Sequence, residues 1–291
     1  MAEQREIDSH TGMPTTGHEW DGLRELNTPM PRWWLWIFYA TIVWSIGYWV
    51  FYPSWPLLSS YTTGTIGWSS RQAVNADLAS LKAIRGPMMD KLASAPLAEI
   101  TADPLLLDFA RALGRTAFGD NCAPCHGAGA GGAKGYPNLN DNEWLWGGKL
   151  DDIAITIQHG IRSTDAKSRL GSMPAFGRDG LMKRDEIESV TDYVRSMANL
   201  AVDPKADVVA GKKVFAATCA ACHGDDGKGK RDLGAPDLTD QIWLYGSDRA
   251  SIIDGLWNGR GGIMPAWAGR LDANTIKALT VYVHTLGGGE K

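Results

Sequence analysis

The sequence has 291 residues, a net charge of −4 at pH 7, 44% hydrophobic and 21% charged residues; it is long enough for two ordinary domains plus extensions, and its composition excludes a disordered or fibrous chain. The small acidic balance, with no basic stripe interleaved with aromatics, gives no electrostatic case for a nucleic-acid partner. All four cysteines, Cys122, Cys125, Cys219 and Cys222, lie in two short stretches, which leaves none for a structural disulfide elsewhere.

Residues 1–32 are polar and proline-bearing and read as a cytoplasmic N-terminal tail in which His10 and His18 are solvated. Residues 33–52, "WWLWIFYATIVWSIGYWVFY", contain no charge. A helix of that length spans roughly 30 Å, the thickness of a bilayer hydrocarbon core. Tryptophans at both ends suit the aromatic belts of a membrane interface. The run is too long for the apolar region of a signal peptide and leads into "PSWP" instead of a small-residue cleavage site. Arg24 and Arg32 on one side against Arg71 on the other point to a cytoplasmic N-terminus in an inner membrane.

Residues 53–107 read as a linker. Its uncharged first part suits the membrane surface, and Val74, Leu78, Leu81 and Ile84 follow helical spacing up to an expected interruption at Gly86-Pro87. Met88 and Met89 read as helix filler.

From residue 108 the chain is a tandem repeat, 108–200 and 204–291, with a boundary at "DPKAD" (203–207). "GRTAFGDNCAPCHG" (114–127) answers "GKKVFAATCAACHG" (211–224), and "PNLNDNEWLWGG" (137–148) answers "PDLTDQIWLYGS" (236–247). "GSMPAF" (171–176) answers "GIMPAW" (262–267), and "VTDYVRSM" (190–197) answers "LTVYVHTL" (279–286). Each repeat ends in an amphipathic helix pattern.

C-x-x-C-H is the pattern for covalent haem attachment. On one helical turn the two thiols share a face and form thioethers with one porphyrin, while the following histidine is held under the iron. A thioredoxin-like site needs a βαβ setting that neither repeat has. A four-cysteine zinc site leaves His126, His223 and the Met-Pro blocks unexplained. Two covalent haem c groups are therefore expected, on Cys122 and Cys125 and on Cys219 and Cys222. Met173 and Met264 are the only methionines at matching positions. They are the expected sixth ligands, giving His126 with Met173 for the first iron and His223 with Met264 for the second. His159 has no counterpart in the second repeat and, like His284, reads as structural. With both axial positions filled, no catalytic residue is expected and the chain carries electrons. Phe118, Leu139, Trp144, Phe176 and Tyr193 are the expected lining of the first pocket, and Phe215, Leu238, Trp243, Trp267 and Tyr282 of the second.

Each repeat resembles a class I cytochrome c domain. In that family the terminal helices cross at a glycine and an aromatic, and Gly114 with Phe118 and Tyr193, then Gly211 with Phe215 and Tyr282, occupy the matching places. The block "TTGHEWDGLRELNTPMPRWW" (15–34), the single membrane helix, "YPSWP" and the two haem domains together resemble the dihaem subunit of cbb3-type cytochrome c oxidases. The resemblance implies an all-α fold: two tandem class I cytochrome c domains behind one transmembrane helix, with the haem domains periplasmic. It also implies electron entry from a soluble or membrane-bound cytochrome c donor, and transfer through a monohaem c subunit to a catalytic subunit that reduces oxygen and pumps protons. A membrane-tethered dihaem shuttle, or the cytochrome subunit of a periplasmic dehydrogenase, is the alternative; a dihaem peroxidase would need one iron without a strong sixth ligand, against two matching Met-Pro loops.

Overall fold

The computed structural model describes residues 6–290, so the first five residues of the expected tail lie outside it. The chain divides into two compact units between Ile84 and Arg85.

In the first unit, the region read as a solvated tail contains a hairpin, β1 (Thr15–Trp20) with β2 (Leu23–Leu26), paired antiparallel. Its turn is Asp21-Gly22, both left-handed at φ 50° and 85°, the backbone that a two-residue hairpin loop demands and that Asp-Gly supplies. His10 and His18 are exposed, as expected. Helix α1 (Arg32–Phe51) follows Pro31 and is long and apolar enough to cross a membrane; none of its side chains is buried. Beyond it the chain folds back on the helix end: Thr65 N donates to Val50 O at 3.0 Å, and the Trp49 and Trp55 rings stand 4.8 Å apart.

Helix α2 (Ser70–Ser94) runs straight through Gly86-Pro87, where an interruption was expected. A proline forfeits one backbone bond, and tertiary packing compensates. Met88, Met89 and Leu92 sit in a cluster with Leu106, Ala110, Ala278 and Val281.

The second unit is helical: α3 (Leu97–Ala102), α4 (Pro104–Asn121), α5 (Ala123–His126), α6 (Leu150–His159), α7 (Arg184–Met197), α8 (Val208–Val214), a π-helical turn (Phe215–Cys219), α9 (Ala220–His223), α10 (Arg249–Asn258) and α11 (Ala273–His284). Asp103 caps α4 by accepting from Leu105 N and Leu106 N, satisfying donors that the first turn leaves free.

The terminal helices cross at glycines, but not within each repeat as expected. Helix α4 packs on α11 and α7 packs on α8. A Cβ on Gly114 would lie 2.6 Å from Tyr282 Cβ, and one on Gly211 would lie 2.8 Å from Tyr193 Cβ. The ring pairs are Phe118 with Tyr282 and Tyr193 with Phe215, each at 5.4 Å. The expected pairs of Gly114 with Tyr193 and Gly211 with Tyr282 are therefore corrected. The physical reason is chain connectivity. Only residues 198–207 separate α7 from α8, and consecutive helices joined by a short loop become antiparallel neighbours at little closure cost.

Candidate functional site

The two Cys-x-x-Cys-His stretches form matching turns. In the first, His126 N donates to Cys122 O at 2.9 Å, and Gly127, at φ 80°, carries the chain away where a side chain would be strained. Gly224 does the same at φ 78°. All four cysteines are free. Cys122 and Cys219 point inward, and burial, with a smaller contribution from the neighbouring Cys125 or Cys222, pushes each thiol up to about 11. Cys125 and Cys222 are exposed.

Each histidine is oriented by a carbonyl. His126 Nδ1 lies 3.0 Å from Pro137 O, and His223 Nδ1 lies 3.0 Å from Pro236 O. A carbonyl only accepts, so Nδ1 carries the proton and Nε2 keeps a free lone pair. Such a second partner fixes the tautomer and ring of a metal-ligating histidine. Burial lowers the His223 pKa, against a smaller opposing effect of the Pro236 bond, and favours the neutral ligand form. The "P-N-L" and "P-D-L" blocks were visible as repeats, but their carbonyl role was missed.

The two Met-Pro loops form isolated β-bridges with residues just beyond helices α6 and α10. Ile161 N donates to Met264 O at 2.9 Å and Met264 N to Ile161 O at 3.0 Å. Symmetrically, Met173 N donates to Arg260 O at 2.9 Å and Arg260 N to Met173 O at 3.1 Å. A Cβ on Gly160 would lie 2.3 Å from Met264 O, and one on Gly259 2.7 Å from Met173 O, so both helix-ending glycines admit the loop of the other repeat.

The result is two apolar pockets that exchange their parts. The first gathers Phe118, Cys122, Leu139, Trp144, Ile153 and Ile157 with Met264, Trp267, Leu279 and Tyr282. The second gathers Phe215, Cys219, Leu238, Trp243, Ile252 and Leu256 with Met173, Phe176, Val190 and Tyr193. All ten residues expected to line the pockets do so. Met264 packs with Cys122 and Met173 with Cys219, the reverse of the expected partnership of Met173 with the Cys122 motif and Met264 with the Cys219 motif. Phe176 and Tyr193 likewise change places with Trp267 and Tyr282. The same short α7–α8 connection explains the exchange, because the loop preceding α7 travels with it. The second pocket is then built from the continuous stretch 171–259, and the first from the segments on either side of it.

His159 Nδ1 faces Asp165 Oδ1 at 3.1 Å, and His284 Nε2–H donates to Glu290 O at 2.8 Å. Between the Pro137 and Pro236 loops lies a cavity of about 350 Å³ lined by Asp141, Glu143, Asp237 and Lys134. Burial, then the negative charge of Asp240, raises the Glu143 pKa.

The donor set suits haem: paired thiols on one turn, a neutral imidazole with Nε2 free, a thioether on a proline-stiffened loop, and an apolar lining. Among the described residues there is no cluster of three or more His, Cys, Asp or Glu side chains that could hold a bare metal ion.

Three families match consecutive parts of the chain: the N-terminal domain of cytochrome oxidase-cbb3, FixP, over residues 12–59; cytochrome c over 111–198; and cytochrome C oxidase, cbb3-type, subunit III over 206–283. Similar proteins include the cbb3-type cytochrome c oxidase subunit FixP of Bradyrhizobium diazoefficiens, 59% identical with all of both chains covered. The subunit FixP of Azorhizobium caulinodans is 57% identical over 98% of this chain and 96% of its own. The subunit CcoP of an Azospirillum strain is 51% identical over 97% and 98%.

Proposed function

The chain belongs to the subunit III family of cbb3-type cytochrome c oxidases, and from that premise we propose how its residues carry electrons. Its role is that of an electron-transfer subunit of an oxidoreductase complex. Two haem c groups would be held by thioethers, one on Cys122 and Cys125 and one on Cys219 and Cys222. His126 with Met264 would hold the first iron, and His223 with Met173 the second. Each haem supplies a one-electron couple when bound. The protein holds the imidazole by the Pro137 or Pro236 carbonyl, presents a soft sulfur that favours the reduced metal, and excludes water with the apolar cluster. With a histidine and a methionine both given to each iron, the chain would carry electrons and leave bond chemistry to its partner subunits.

Electrons enter from a soluble or membrane-bound cytochrome c donor and leave toward the monohaem and catalytic subunits, where oxygen is reduced. The anchor is α1 in the inner membrane, with its N-terminus cytoplasmic and the haem unit periplasmic, where haem c is attached. The observation that carries this reading is the doubled constellation of Cys-x-x-Cys-His turn, carbonyl-oriented imidazole and opposed Met-Pro loop behind a membrane-length helix. The test is the haem b to haem c ratio, by pyridine haemochrome spectra, of material purified in mild detergent through a tag on this chain. Haem b with more than two haem c per chain is expected; two haem c and no haem b, in a detergent that leaves the oxidase assembled, would overturn it.

A further inference from the structure

Two guanidinium groups occupy equivalent places in the two repeats although they come from non-equivalent positions. The repeats align from the Pro137 and Pro236 loops through helices α6 and α10 so that Trp146 matches Tyr245, Asp152 matches Ser251, Thr156 matches Gly255 and Ile161 matches Arg260. Arg169 falls in the longer connection before Met173 and has no counterpart. Yet Arg169 Nε donates to Thr156 Oγ1 at 3.0 Å and its Nη2 to Asp152 O at 3.3 Å, with Cζ 5.3 Å from the centre of the Trp146 ring. Arg260 Nη2 donates to Ser251 O at 3.1 Å, its Nε lies 3.2 Å from where a Gly255 Cβ would be, and its Cζ is 4.4 Å from the Tyr245 ring centre. Three matching supports, an aromatic ring and two sites on one helix, thus receive an arginine in each repeat.

Backbone bridges set both arginines in line with the pocket methionines. Residues directly paired across antiparallel strands project to the same face, so Arg260 stands beside Met173 and Ile161 beside Met264. Arg169 pairs in turn with Ile161 through a parallel bridge, in which paired side chains also share a face, extending the row from Met264 through Ile161 to Arg169. The side chains are only 17% and 23% exposed. Their carboxylate neighbours are weak partners: Asp152 lies 3.4 Å from Arg169, and Asp254, 2.8 Å from Arg260, is more than half exposed. Lys134 Nζ donates to Ser251 Oγ beside Arg260, but Leu233 aligns with Lys134, so the repeated feature is the arginine.

We infer that Arg169 and Arg260 are the cations that bind the propionate carboxylates of the two haems, Arg169 in the pocket of Cys122 and Arg260 in that of Cys219. This rests on the haem reading above. A planar guanidinium stacked on a ring and tied at one edge keeps its remaining N–H groups for a carboxylate. Haem brings carboxylates into surroundings that are otherwise apolar, where an unpaired charge is costly.

The test is a redox titration of the full chain carrying Cys125→Ser, which leaves one thioether on the first haem and marks it by a shifted α band. Arg169→Gln lowers the midpoint potential of the marked haem alone and Arg260→Gln that of the unmarked haem alone, because loss of a cation favours the oxidised, more positive iron. Arg169→Lys and Arg260→Lys recover part of each shift. A purely structural role would lower thermal stability and leave both potentials in place, and that result, or both haems moving together, overturns the inference. Failure of the haem reading shows separately, as fewer than two haem c per chain or loss of the methionine–iron charge-transfer band before any arginine is changed.

Discussion

Gly114 of the first repeat and Tyr282 of the second meet at the crossing of α4 and α11, where a Cβ on the glycine would stand 2.3 Å from Ala278 O and 2.6 Å from Tyr282 Cβ. The backbone of one repeat is thereby seated on the last helix of the other. Gly114→Ala forces the helices apart and is expected to cost roughly 1–3 kcal/mol, the usual penalty of overpacking. In a double-mutant cycle followed by thermal unfolding, Gly114→Ala couples to Tyr282→Ala and is additive with Tyr193→Ala within about 0.5 kcal/mol. Coupling to Tyr193 instead would contradict the exchange.

Asp192 and Arg249 form a two-pronged ion pair between α7 and α10, with Nε to Oδ1 at 3.0 Å and Nη2 to Oδ2 at 3.1 Å, and Asp192 is buried. At the aligned places of the other pocket stand Val281 and Leu150, packed in an apolar cluster. Arg249→Leu alone leaves a buried carboxylate unpaired and is expected to cost about 2–3 kcal/mol, less than a fully buried pair because the arginine is partly solvated. Arg249→Leu with Asp192→Val reproduces the apolar pair and recovers most of that loss, as read by denaturant unfolding.

Lys277 Nζ, on α11, donates to Ala93 O at 2.7 Å and Ala95 O at 2.8 Å at the end of α2. Those carbonyls are left free where a helix stops, and a cation there is favourable. Lys277→Met is expected to destabilise the unit by about 1–2 kcal/mol and to make the segment around residues 93–103 the first site of limited proteolysis. An unchanged cleavage pattern would contradict this.

The Glu143 pKa is raised from its ordinary value by burial and then by the charge of Asp240. The folded protein holds this proton more tightly than the unfolded chain, so stability falls as pH rises past the unfolded value of about 4.3. Glu143→Gln is therefore expected to raise the unfolding temperature at pH 7, with the gain disappearing below about pH 4. A gain that persists at pH 3.5 would show a cause other than ionisation.

Much of this was legible in the sequence because the signals were chemical or periodic. The uncharged run gave α1, and the cysteine spacing gave the two turns. The block repeats gave ten of the lining residues, whereas Ile153 and Ile157 of α6 and Ile252 and Leu256 of α10 lie outside the matched blocks and were not singled out. Partnership was illegible for the same reason that the repeats were visible. Gly114 and Gly211 present alike to Tyr193 and Tyr282, and Met173 and Met264 sit in near-identical loops, so local pattern is silent about which copy pairs with which. The deciding quantity is the closure of the ten-residue connection between α7 and α8. The hairpin of β1 and β2 was missed although Asp21-Gly22 is a strong turn signal, because the flanking residues lack apolar alternation. Arg169 was hidden because its equivalence to Arg260 is spatial and the alignment sets it opposite a gap.

The exchange of methionines between the two pockets is open to one direct measurement. With the first haem marked by Cys125→Ser, Met264→Leu and Met173→Leu are titrated one at a time, following each α band. Met264→Leu lowers the potential of the marked haem and Met173→Leu that of the unmarked haem, each removing half of the methionine–iron charge-transfer band. The reverse assignment, with Met173→Leu acting on the marked haem, would contradict the exchange and return each repeat to a self-contained pocket.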